Sequence, residues 1–207
     1  EDYFIALTES KGRKIIADSE YNKATIAVAS LKADPITGVY LKESKDCTII
    51  RHKVVQFELN GVEMKCELDK VYINHVDKTI TPIDYKTTGL PITSFNKEFW
   101  KYRYDFQAAT YTYGIQKDPE MLEYAAKGYK FLSFRYIVVE MGSTNSPMVF
   151  RIPQSVIKIG YKGGERSSGW KLEGLTQALD RYLFHKEKDN WDYPQEYYTN
   201  NCLDIEV

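Results

Sequence analysis

Cysteine is scarce in this chain. Cys47, Cys66 and Cys202 are odd in number and widely spaced, which excludes a disulfide framework, and no CxxC or Cys/His pairing offers zinc a site. Reduced thiols are therefore expected, as in a cytoplasmic protein. No long apolar run is present, which excludes a helical membrane span, and no basic, apolar and small-residue leader marks the chain for secretion. An excess of one charge is also missing. With 28 Lys and Arg against 29 Asp and Glu, a wholly basic, histone-like nucleic-acid binder is excluded, although a local basic patch beside an acidic site is not. Repeats, low-complexity stretches and Pro-, Gly- or Ser-rich linkers are lacking too. Residues 1–207 accordingly read as a single domain, and the first residue, Glu rather than Met, points to residues upstream of this chain.

At 43% hydrophobic residues the chain can bury a sizeable core, and it holds 17 Tyr. Residues 20 to 33 read as a helix opened by Ser19. Residues 48–59, 62–73 and 79–88 read as three strands of an antiparallel meander, joined by the strong turn pair Asn60-Gly61 and by residues 74–78. One long helix is expected over 95–116, with Phe95, Phe99, Tyr102, Phe106 and Tyr113 as its buried stripe. A short helix over 119–127 ends at Gly128, and residues 129–141 and 147–153 make a hairpin. A last amphipathic helix covers 169–188, with Leu172, Leu175, Leu179, Tyr182 and Leu183 on one side. The order α-β-β-β-α-β-β-α places the chain in the α+β (α/β-like) class, with a central mixed β-sheet flanked by helices.

Candidate chemistry sits at Ile83-Asp84-Tyr85-Lys86. Asp84 and Lys86 stand two apart on a strand and so share a face, while Ile83 and Tyr85 turn to the other, where a core belongs. With the preceding turn centred on residues 75–78, opposed residues have numbers summing to 153, so Asp69 faces Asp84 and Glu67 faces Lys86. Opposed side chains have Cβ atoms roughly 4.5–5.5 Å apart, close enough for two carboxylates to share one Mg²⁺ or Mn²⁺. An acid-x-lysine triplet alone is a weak signal. Glu43-Ser-Lys45 and Glu63-Met-Lys65 repeat it, and only the Asp84 copy meets an acid in register on the adjacent strand.

The stretch GVEMKCELDKVYINHVDKTITPIDYKTT, residues 61–88, resembles the core of RecB-like and RecE-like nucleases, including the lambda exonuclease group of the PD-(D/E)XK superfamily. The resemblance also takes in Gln107 and Tyr111, four residues apart on one face of the following helix. It implies a restriction-endonuclease-like core of order α-β-β-β-α-β. By this resemblance Asp69 and Asp84 bind metal, and Lys86 orients the attacking water or stabilises charge on the phosphate. Gln107 and Tyr111 support the site or touch the DNA backbone. The activity implied is a Mg²⁺-dependent exonuclease acting on double-stranded DNA ends for recombination in a bacterial or phage-infected cell, alongside a strand-annealing partner and as a homo-oligomer. An endonuclease of structure-specific or restriction type, and a non-catalytic DNA-binding or assembly module, are the competing readings on the same fold.

Departures from the family pattern exist. Some relatives carry an upstream histidine that this chain lacks on its first helix, and Glu20 is the acid that could replace it. His52 on a strand and His75 in a turn read as structural. Glu58, at the end of the preceding strand, and Glu67 are further candidate supporting acids. Iron–sulfur relatives need four cysteines, so no such cluster is expected. Lys101 and Arg103, with Lys97 and interleaved with Trp100, Tyr102 and Tyr104, mix charge and rings in the manner of a nucleic-acid surface. Residues 162–169 read as a loop whose Lys162 and Arg166 could meet phosphates.

Overall fold

The structure, a computed structural model, describes residues 8, 10, 15–142, 144–166 and 168–205. Its first helix, α1 (Asp18–Ala33), leads through a short 3-10 turn at Thr37–Tyr40 into two long strands, β1 (Cys47–Leu59) and β2 (Val62–Asn74). Asn60 and Gly61 close that hairpin with positive φ angles of 51° and 75°, the backbone that a two-residue turn matching strand twist demands. β3 (Thr79–Thr88) returns antiparallel to β2, with pairs running from Asn74↔Thr79 to Lys70↔Ile83. β3 then changes partner. From Ile83↔Arg135 to Thr88↔Glu140 it runs parallel to β5 (Arg135–Glu140), which in turn pairs antiparallel with β6 (Pro147–Arg151). The two-residue β4 (Lys130–Phe131) adds to β3 beside Thr79 and Ile80. The result is a six-stranded mixed sheet in the order β1-β2-β3-β5-β6.

Helices cover both faces. α1 lies on one, where Ala27, Leu31 and Tyr40 bury Ile83, Ile137 and Val139. The opposite face carries the larger core, including Leu68, Ile80, Phe95, Ala108, Phe134 and Tyr136. Because both faces of β3 are covered, residues 80–84 are all buried, Asp84 among them. The α+β class and the central mixed sheet flanked by helices are as the sequence implied. No helix among the described residues is long and apolar enough to cross a membrane.

The long helix expected over 95–116 is two helices, α2 (Phe95–Lys101) and α3 (Tyr104–Ile115). Arg103 between them takes a left-handed φ of 54°, and its guanidinium donates to both oxygens of buried Asp105 at 3.0 and 3.1 Å and to the Glu173 carbonyl at 2.5 Å. The break rotates the second half. Phe95 and Phe99 are buried, but Tyr102 is exposed, and α3 buries Asp105, Ala108, Ala109, Thr112 and Ile115, with Phe106 and Tyr113 half-buried against the same core. α4 (Pro119–Ala126) follows with Asp118 as its N-cap, accepting from the Met121 amide at 3.2 Å.

The strand expected over 129–141 is split between β4 and β5. Residues 169–174, expected in the last helix, instead include β8 (Lys171–Leu172), paired with β7 (Gly164–Glu165). The helix itself, α6, starts at Leu175 and runs to Lys188, and it leaves Tyr182 exposed. A short α7 (Gln195–Asn200) comes after it.

α5 (Gln154–Lys162) has no counterpart in the sequence reading. Its β-branched Val156, Ile157 and Ile159 and its Gly160 all weaken helix propensity, and packing against α3 overrides them. Gly160 is what permits that packing, since a Cβ there would stand 2.1 Å from the Asp105 carbonyl oxygen and 3.0 Å from the Ala109 methyl. Gly160→Ala gains helix propensity of up to about 1 kcal/mol but overpacks the crossing. We expect a net destabilisation of about 1–3 kcal/mol in urea unfolding at unchanged m. A stabilised variant would show that the helices are not in contact at this point.

Candidate active site

β2 and β3 stop pairing at Lys70↔Ile83, so Asp69 and Asp84, next in the same register, face each other where the strands part. The parting leaves the Tyr85 amide without a strand partner on that side. Asp69 replaces it, accepting the Tyr85 N–H on Oδ2 at 2.8 Å. On the reverse face Lys70 donates from Nζ to the Tyr40 carbonyl at 2.8 Å and to the Tyr85 hydroxyl at 2.6 Å. Burial lowers this ammonium to about 8. Tyr85 is thus pinned by backbone on one face and by hydroxyl on the other, which fixes Asp84 and Lys86 on either side of it.

Asp84 is 3% exposed. Its Oδ1 accepts from Gln107 Nε2 at 3.1 Å, and its Oδ2 stands 2.5 Å from Lys86 Nζ. Oδ2 is buried, and the Lys86 ammonium is its close, charge-assisted partner. Burial pushes the Asp84 carboxyl up to about 6, Lys86 pulls it down, Asp69 pushes it further up, and Gln107 opposes that. Lys86 in turn sits over two rings, Tyr104 at 4.9 Å and Tyr136 at 5.5 Å from the centroids. The Tyr136 hydroxyl reaches both the Tyr104 carbonyl at 2.9 Å and Gln107 Oε1 at 3.1 Å. Accepting there orients the Gln107 amide with its NH₂ toward Asp84. Tyr111, one turn on from Gln107, packs on Phe134 at 6.0 Å, and burial raises its phenol above the ordinary value.

Asp69, Asp84, Lys86 and Gln107 therefore come together, with Tyr111 at the margin. The other sequence candidates do not join them. Glu67 bonds His52 Nδ1 at 3.1 Å instead of facing Lys86, because β2 has already left β3 at that point. Glu58 lies opposite Glu63 near the tip of the β1–β2 hairpin and is exposed. Glu20 is exposed and accepts from the Ala17 amide at 3.4 Å as part of the α1 N-terminus. Arg103 serves as the clamp described above, and Lys101 is exposed with its ammonium over the Tyr102 ring at 5.1 Å. His75 is structural, bridging Thr48 Oγ1 at 2.8 Å and the Tyr129 hydroxyl at 2.9 Å.

Tyr104 and Tyr136 are the site residues the sequence did not reveal. Tyr136 lies beside Asp84 in the parallel β3–β5 register, which no hairpin turn specifies.

Among the described residues no three His, Cys, Asp or Glu side chains converge as a metal cage. What the site does offer is two facing carboxylates, one of them buried with an ammonium at 2.5 Å. That donor set suits a hard divalent cation which keeps several waters and rests on one or two carboxylates.

No family model matches this chain, and no curated protein matches it. Among solved structures it is similar to a protein from Eubacterium rectale named "Putative exonuclease", with a TM-score of 0.53 and 11% identity over 94% of this chain. The match covers 66% of that protein, so this chain spans a little under two thirds of its length. Likeness at this identity is one of fold.

The raised Asp84 carboxyl sets a pH dependence. With a folded value of about 6 against an ordinary 3.8, the native state holds a proton that the unfolded chain gives up first. The stability this contributes is present below about pH 4 and is lost as pH rises through about 6. Asp84→Asn abolishes the titration. In urea unfolding without divalent cations, the variant should match wild type near pH 4 and exceed it above pH 7, by at most about 3 kcal/mol. A stability difference that stays constant across this range would contradict the buried, net-destabilised carboxylate.

Proposed function

We propose that this chain is a metal-dependent deoxyribonuclease of the PD-(D/E)XK superfamily, and within it an exonuclease that processes double-stranded DNA ends. The observation that carries the reading is the buried carboxyl of Asp84, pushed up to about 6, with a second carboxylate, Asp69, next in the strand register and the ammonium of Lys86 at 2.5 Å. A buried carboxylate beside a second one is costly to ionise, and a cation shared between the two offsets that cost. The name of the Eubacterium rectale protein agrees with a nuclease. The RecE-like resemblance of residues 61–88 implies the recombination setting and a strand-annealing partner, and a homo-oligomer would suit processive digestion.

Asp69 and Asp84 would hold Mg²⁺ or Mn²⁺, which when bound supplies Lewis-acid polarisation of the scissile phosphate and a more acidic water. The chain's own groups do the rest. Gln107 fixes the Asp84 rotamer, itself oriented by Tyr136. Lys86 would donate hydrogen bonds that orient the attacking water or stabilise the charge growing on the phosphate. The Tyr104 and Tyr136 faces hold the ammonium in place. Burial by α3 keeps bulk water from screening these charges.

Three outcomes separate this reading from its neighbours when linear and closed circular DNA are incubated with the protein and Mg²⁺. Loss of the linear form alone is expected. Nicking of the circle would make the protein an endonuclease, and two intact substrates would make it a binding module. Lys86→Ala should lower cleavage by on the order of a hundredfold or more, by analogy with the ~2.7–4 kcal/mol lost with one transition-state donor, while DNA binding is retained. Near-wild-type turnover would remove Lys86 from the mechanism. In thermal unfolding, wild type at a metal concentration about a hundredfold over its Kd gains about 2.7 kcal/mol, and Asp84→Asn should gain far less. Equal gains in both would place the cation elsewhere.

A further inference from the structure

Beside the strand-mounted site, a cleft of about 510 Å³ opens between α2 and the β7–β8 hairpin. Two stretches 60 and more residues apart in sequence build it, Lys97, Trp100, Lys101 and Arg103 from one side and Arg166 and Trp170 from the other. Its charge has one sign. Arg103 is committed to Asp105, but no carboxylate lies within ion-pair distance of Lys97, Lys101 or Arg166 among the described residues. Its apolar surface is aromatic. The Arg166 guanidinium lies over the Trp100 ring at 4.4 Å, and Trp170 is 70% exposed. Lys97, Lys101 and Arg166 thus carry charge that no carboxylate among the described residues neutralises, beside an indole presented to solvent.

Arg103 lines the cleft, and the next residue in the chain, Tyr104, carries the ring on which Lys86 sits.

We propose that this cleft binds single-stranded nucleic acid, with a base stacked on Trp170 and the backbone phosphates on Lys97, Lys101 and Arg166. Duplex DNA offers phosphates but hides its base faces in the stack, so an exposed ring flanked by cations fits a strand whose bases are splayed. The inference rests on the nuclease reading only for the sense of a strand leading into the site. Binding itself needs no cleavage.

The test uses the full chain in EDTA, with fluorescence anisotropy of a labelled 15-mer of deoxythymidine and of a blunt duplex of equal length. Wild type should bind the single strand. Trp170→Ala should weaken that binding on the order of tenfold or more, and Trp170→Tyr should restore most of it, at an unchanged unfolding temperature. Lys97→Ala should reduce the slope of log affinity against log salt by about 0.7, the value for one phosphate contact on a single strand. Single-strand affinity unchanged in Trp170→Ala overturns the proposal, as does binding of the duplex alone or of neither probe. The latter result leaves the cleft to an acidic protein partner. Trp170-dependent binding by a protein that cleaves nothing in Mg²⁺ would keep this inference and sink the nuclease reading. Cleavage together with Trp170-independent binding would do the reverse.

Discussion

The separation of β2 from β3 after Lys70↔Ile83 governs the rest of the molecule. While the strands are paired, every backbone group between them is satisfied by the ladder. Once they part, the Tyr85 amide needs a new acceptor, and Asp69 Oδ2 supplies it at 2.8 Å. A single hydrogen bond thereby does two things. It ends the sheet without an unsatisfied buried donor, and it holds one carboxylate against the strand that bears the other. The opposite edge of β3 meanwhile stays locked to β5 through Thr88↔Glu140, so the opening is a rigid cleft in the sheet rather than a frayed end.

Everything that tunes the site is attached to that rigid half. β5 brings Tyr136 alongside Asp84, and α3 lays Gln107 across both. α3 in turn is placed by the Arg103–Asp105 clamp, which starts the helix in a direction that α2 alone would not give. Gly160 then lets α5 press against the first turn of α3, where any side chain would collide with Asp105. The site is thus supported from β2 by one carboxylate and from α3 by one amide, with the ammonium of Lys86 seated between two tyrosine rings. Such a seat holds the ammonium 2.5 Å from Oδ2 of Asp84.

The local half of this arrangement was legible in the sequence. Asn60-Gly61 and the residues 74–78 turn are short-range signals, and alternation along β3 puts Asp84 and Lys86 on one face, so the 153 register and the facing of Asp69 and Asp84 follow without tertiary information. The same arithmetic failed for Glu67, because hairpin pairing says nothing about where strands diverge. Non-local features stayed hidden. The parallel β3–β5 register that supplies Tyr136 is set by a crossover of more than forty residues, not by a turn. The break at Arg103 depends on Asp105 and on Glu173, seventy residues away, and a helical reading of aromatic spacing passes over it. α5 is held by packing against its own propensity.

On the proposed function, the parted strands present Asp69 and Asp84 to one divalent cation beside Lys86. Anomalous diffraction from crystals soaked in Mn²⁺ measures this directly, since the ion is located without reference to activity. One Mn²⁺ is expected at about 2.0–2.3 Å from an oxygen of each carboxylate, in the range for hard oxygen ligands, with Lys86 close by and not coordinated. A cation bound away from Asp84, or a soaked crystal in which both carboxylates keep only their present partners, would contradict it.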